Sequence, residues 1–111
     1  MSKSMELTEA ILLSLLPNVL TKRGSVTPGS DLDDYTQTGF YMMDIKSAET
    51  VGNLPPGYPR NGLLIVLNHY CLVQIIIPGY SGSPIIHRSK WYNQVFREWY
   101  ELASTKIVTT T

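Results

Sequence analysis

The residues of this chain that could carry chemistry are two histidines, one cysteine and a short acidic cluster. His69 and His87 are the only histidines; imidazole titrates near neutrality and serves as general base or metal ligand. His69 stands two residues before Cys71, a spacing that puts both on one side of an extended chain. A structural zinc site needs four such ligands, and neither His69, Cys71 nor His87 has a motif partner nearby. Cys71 lies in an apolar run and is the only cysteine. It reads as a small buried hydrophobe with no intrachain disulfide open to it. Ser81-Gly82-Ser83 lacks the flanking glycines of a nucleophile elbow, and Gly79 with Gly82 does not make a phosphate loop. Asp31, Asp33 and Asp34 cluster where a turn calls for aspartate, and read as a solvated turn. The expectation is therefore no catalytic residue, no metal and no cofactor.

Binding chemistry is better represented. Tyr58, Tyr80, Trp91 and Tyr92 lie in or beside loops. Aromatic rings with polar edges suit sugar stacking or protein contact, so these four are candidate receptor- or glycan-binding residues. Gln74, between Val73 and Ile75, and Arg88, within an apolar strand, both need partners if buried. Trp99 is read as core. Gln74, Arg88 and Trp99 are thus structural or interface candidates, together with Leu12 and Leu16 of the N-terminal segment.

The elements that must position these residues are mainly β. Leu63–Leu67 and Cys71–Ile77 are apolar, β-branched runs joined by Asn68-His69-Tyr70, a hairpin signature. Gly39–Ile45 precedes them as an aromatic, apolar strand, and a further strand begins at Ile85. Residues 52–62 hold Pro55, Pro56, Pro59, Gly52, Gly57 and Gly62 and form an extended loop. Residues 91–100 fit either helical or strand periodicity. Residues 4–16 read as a helix capped by Ser4 and ended by Pro17, with Met5, Leu12 and Leu16 on one stripe. Ile11, Leu13 and Leu15 make it apolar on nearly every side, and such a helix must be buried. The domains are therefore 1–21 as an N-terminal helix, 22–34 as a connector, 35–103 as a β domain and 104–111 as a tail or edge strand.

Composition points toward self-association. Only 16% of the 111 residues are charged and the net charge is zero, a weak basis for solubility as a monomer and none for binding nucleic acid. The Ala10–Leu16 run is too short to cross a bilayer and no small-residue cleavage site follows Pro17-Asn18. No signal peptide or membrane insertion is expected.

In order along the chain stand Asp31-Leu32-Asp33, Thr38-Gly39-Phe40-Tyr41, Asn53-Leu54-Pro55, Gly62-Leu63-Leu64-Ile65-Val66, Val73-Gln74-Ile75, Ile86-His87-Arg88-Ser89 and Trp99. Together, over roughly residues 31–102, they resemble the knob domain at the ends of phage tail fibres and R-type pyocin fibres. Asp33 stands where that family often has Asn, and the segment from Lys90 to Arg97 is longer than the family's Gly-rich turn. The resemblance implies a compact antiparallel β knob, a small sandwich-like sheet, assembled as a homotrimer at a fibre tip in the virion. The N-terminal helix would then begin its stalk, and the ambiguous C-terminal stretch would be strand around Phe96–Tyr100. Its partners would be copies of itself, a host surface glycan or protein receptor, and upstream fibre or baseplate proteins. The alternatives are a purely structural trimerisation or capping module, and a small metal-binding or enzymatic domain resting on His69, Cys71 and His87.

Overall fold

A computed structural model describes residues 21–46, 49–80, 82–92 and 94–102. The N-terminal helix expected over residues 4–16, with Leu12 and Leu16, and the tail over 104–111 lie outside the described residues. The rest is mainly β: one six-stranded sheet in sequence order, β1 (Lys22–Ser25), β2 (Gly39–Asp44), β3 (Asn61–Asn68), β4 (Leu72–Pro78), β5 (Ile86–Lys90) and β6 (Tyr100–Glu101). β2 through β6 form an antiparallel meander, whereas β1 runs parallel to β2. The sheet is therefore mixed and single-layered, not antiparallel throughout or sandwich-like.

β1 corrects the reading of residues 22–34 as a connector. Lys22-Arg23-Gly24-Ser25 carries no apolar pattern, so nothing in its sequence marks a strand; it is recruited by backbone pairing. Glycine at the start of β2 permits the approach. Gly39 has φ 145°, and a Cβ there would stand 2.7 Å from both the Thr21 carbonyl oxygen and Arg23 Cγ. Arg23 Nε then donates to the Thr38 carbonyl at 2.8 Å. At the C-terminal end, Phe96–Tyr100 is not the expected strand. Only Tyr100–Glu101 pairs with β5, opposite Ile86 and His87, and residues before it form a loop tied down by the Arg97 N–H to the Ser89 carbonyl (3.0 Å).

Strand alternation sorts the sheet into two faces. One carries two registered rows, Tyr41–Leu64–Ile76–Ile86 and Gly39–Val66–Gln74–Arg88, all buried. The turns and loops cover this face, contributing Val26, Leu32, Ile45 and Val51 to the core, with Tyr35, Leu54, Tyr58, Phe96 and Trp99 packed against it. The other face carries Phe40–Ile65–Ile75, Met42–Leu63–Ile77 and Leu67–Val73, which are half-buried or exposed.

The core face is not purely apolar. Arg88 is 4% exposed and Gln74 fully buried. Arg88 Nε donates to Gln74 Oε1 (2.9 Å), and Gln74 Nε2 donates to the carbonyls of Leu32 (2.6 Å) and Tyr35 (2.9 Å). Arg88 Nη2 lies 2.8 Å from Asp33 Oδ1, off the line of its N–H bonds, so the contact is an ion pair more than a directed hydrogen bond. The guanidinium carbon sits 3.8 Å from the Phe96 ring centroid and 4.7 Å from that of Trp99. Burial pulls the Arg88 pKa below its ordinary value while the Asp33 carboxylate opposes the shift, and the group stays charged. The 3-10 turn Leu32–Asp34 is capped by Asp31, whose Oδ1 accepts from the Asp33 N–H (2.8 Å) and from Asn53 Nδ2 (2.7 Å). Trp99 Nε1 in turn donates to the Asn53 carbonyl (2.7 Å). The acidic turn, expected to be merely solvated, thus anchors the loops through Asp31 and pairs the buried cation through Asp33.

Two outcomes follow for stability. Gln74→Leu removes the side-chain donor to the Leu32 and Tyr35 carbonyls and the acceptor of the Arg88 Nε–H, and is expected to cost about 3 kcal/mol, as breaking a buried polar network does; urea unfolding measures it. The Asn53 amide, then the Asp33 N–H, hold the Asp31 carboxyl below its usual range. A lowered folded-state pKa contributes stability above the unfolded value, near 4, and loses it as pH falls further. Asp31→Asn should therefore flatten the decline of urea midpoint with pH below about 4.

Candidate functional site

The four aromatic candidates separate into two groups at opposite ends of the β3–β4 hairpin, about 24 Å apart along an eight-residue strand. Tyr58 and Tyr80 lie beside the start of β3. Trp91 and Tyr92 lie beside the hairpin turn.

At the first end, the Pro/Gly loop, the end of β2 and the segment after β4 enclose an open cleft of about 460 Å³ lined by Asp44, Ile45, Lys46, Gly57, Tyr58, Arg60, Asn61 and Tyr80. Antiparallel register places Asp44 opposite Asn61, and Gly62 opposite Pro78, so strand pairing itself brings the Asp44, Asn61 and Tyr80 region together. The Asn61 amide, oriented to satisfy both its ends, accepts from Tyr80 Oη (2.8 Å) and donates to Asp44 Oδ1 (3.3 Å) and the Arg60 carbonyl (3.1 Å). Arg60 Nη1 donates to the Glu49 carbonyl and holds the loop above the cleft. Tyr80 is 55% exposed. Tyr58 differs from the expected exposed ring: it is half-buried against the core, its hydroxyl donates to the Pro84 carbonyl, and burial pushes its pKa up. It forms a wall of the cleft with its polar end already engaged.

At the other end, Tyr70 and Trp91 meet edge to face with centroids 5.1 Å apart. The Tyr92 hydroxyl donates to the His69 carbonyl. All three rings are exposed, Tyr70 most of all at 77%. This cluster offers exposed aromatic surface. Tyr70, which belongs to the turn, was not distinguished as an aromatic candidate by sequence; its pairing with Trp91 depends on the β4–β5 register.

The remaining sequence candidates do not assemble. His87 stacks on Tyr100, with centroids 6.2 Å apart, one strand pair away from His69 and Cys71 at the turn. Among the described residues no three His, Cys, Asp or Glu side chains gather as a metal-binding set. Gln74, Arg88 and Trp99 find their partners within the chain, in the core network. Asp44, Lys46, Arg60 and Asn61 were missed as site residues, because a strand end and a Pro/Gly loop mark no chemistry until pairing juxtaposes them. No protein-family model, curated protein or solved structure matches the chain.

The two tryptophans report this geometry. Trp91 is 48% exposed while Trp99 packs on the core. Iodide should quench one fluorescence component strongly, and Trp91→Phe should remove that component and leave a shielded one. Equal quenching of the wild-type chain and Trp91→Phe would contradict the placement.

Proposed function

We propose that this chain is a non-enzymatic tip domain of a phage-type tail fibre or receptor-binding protein, acting as a homotrimer that attaches to a host surface glycan through the Tyr58–Tyr80 cleft. The observation that carries the reading is the convergence of an exposed tyrosine, Tyr80, with Asp44, Lys46 and Asn61 in one open cleft. A sugar presents hydroxyls that pair with carboxylate, amide and ammonium groups, and C–H faces that stack on aromatic rings. The cleft is open to solvent, which fits a weak site. Three copies on one fibre would raise avidity by roughly 10²–10⁴ where geometry lets them engage together.

The fibre reading is supported by where the family-like motifs meet. Asp31-Leu32-Asp33, Asn53, Gln74, Arg88 and Trp99 are far apart in sequence and join in one network centred on the buried Gln74 and Arg88. The motifs that carry the resemblance therefore do one structural job together. Their role is in the framework, and the cleft is built from residues outside them, as a recognition site that varies between receptors would be. Upstream fibre or baseplate proteins would join on the N-terminal side of the domain.

A glycan array probed with the trimer tests this. Tyr80→Ala and Asp44→Ala should each weaken binding at least tenfold with unchanged light-scattering mass and circular dichroism, while Trp91→Ala binds as wild type. A well-folded trimer that binds neither glycans nor host cells overturns the recognition reading. Loss with Trp91→Ala instead moves the site to the Tyr70–Trp91 end. Loss of the trimer in Tyr80→Ala makes that residue an assembly contact and the domain a capping module.

A further inference from the structure

The second face of the sheet is built to be covered. Phe40, Ile65 and Ile75 form one registered row, Met42, Leu63 and Ile77 a second, and Leu67 and Val73 a third. A sheet with one solvated face alternates apolar and polar residues; strands apolar on both faces belong to sheets covered on both. The loops of the chain cover the opposite face, whereas the apolar side chains of this one are left half-buried, with Met42 39% exposed.

We infer that the chain closes this face itself, with residues 4–16 laid across β2, β3 and β4 as the second layer of the domain. Three observations select this occupant. The segment is the complementary piece: Met5, Ile11, Leu12, Leu13, Leu15 and Leu16 give it apolar surface on nearly every side. It also leaves the sheet in the right place. The Thr21 carbonyl accepts from the Phe40 N–H at 3.0 Å, so the chain before it enters at the edge of the sheet, level with the Phe40 row. Finally, its direction and length fit. β1 starts opposite Phe40 and runs toward Met42, so a helix antiparallel to β1 would run from the Met42–Leu63–Ile77 row toward the Phe40 row. As a helix, residues 4–16 measure about 20 Å, against about 14 Å from Leu63 to Leu67 along β3. Residues 17–20 are left for the turn, within the usual length of roughly 2–6 residues for such a connection. A tether this short supplies an effective concentration on the order of millimolar, which a second copy at micromolar concentration does not match.

The inference does not depend on receptor binding, so its failure and that of the glycan reading are separable. The test is disulfide trapping in the full-length chain with Cys71→Ser. Leu12→Cys is combined with Ile65→Cys, and separately with Asp34→Cys on the loop-covered side as control. Isotopically light and heavy copies are unfolded and refolded together, oxidised, digested and analysed by mass spectrometry. The expected result is a disulfide joining positions 12 and 65 with both peptides of one isotope, and at least tenfold less link to position 34. Cross-links of mixed isotope overturn the inference and assign the face to a neighbour's segment. Absence of any link to position 65 overturns it too. Hydrogen exchange of the unmodified chain guards against a perturbed variant: amides of residues 8–16 should exchange at least tenfold more slowly than in an unfolded peptide, and unprotected exchange there overturns the inference.

Discussion

The described structure hangs on Arg88. A guanidinium on the core face of a sheet loses its water, and that loss is offset here only by convergence of several partners. Gln74 accepts from Nε, Asp33 supplies the opposite charge, and Phe96 and Trp99 offer ring faces. The partners come from three separate parts of the chain, so satisfying one side chain ties the acidic turn and the C-terminal loop to the central strands. Gln74 extends the tie by donating to Leu32 and Tyr35 carbonyls that no strand ladder could satisfy.

That arrangement explains how a domain this small orders so much irregular backbone. The Pro/Gly loop and the acidic turn have little secondary structure of their own, and their polar groups must be paired somewhere. The chain pairs them through side chains: Asp31 caps one turn, Asn53 links it to the next loop, and the Trp99 indole closes the circuit. The aromatic and apolar atoms of those same residues fill the space over the sheet. The framework is thereby cross-linked where the motifs lie, and the two ends of the hairpin carry differing surfaces, a polar cleft at one and an aromatic cluster at the other.

Much of this was legible beforehand, and the parts that were not share a cause. The β3–β4 hairpin was readable because two β-branched runs flank a polar turn, and the loop over 52–62 because proline and glycine allow little else. The need for partners at Gln74 and Arg88 was readable from polar residues set in apolar strands. β1 was not, since its four residues carry no β pattern and pair by backbone alone. The short β6 was misplaced because residues 91–100 fit either period and the family resemblance favoured strand, whereas Phe96 and Trp99 are used to stack on a cation.

The amino-acid sequence by itself determined that the chain is mainly β, where its central strands and breaking loops lie, and which buried polar residues demand company, because these follow from periodicity, backbone restriction and the cost of desolvation. Only tertiary structure decided which residues answer that demand and which surface side chains meet. Asp33 and Arg88 are 55 positions apart by residue number, and Asp44, Asn61 and Tyr80 come from three segments. Such neighbours are set by strand register, and register is a property of the folded sheet, in which a shift of one residue would turn every side chain of a strand to the other face.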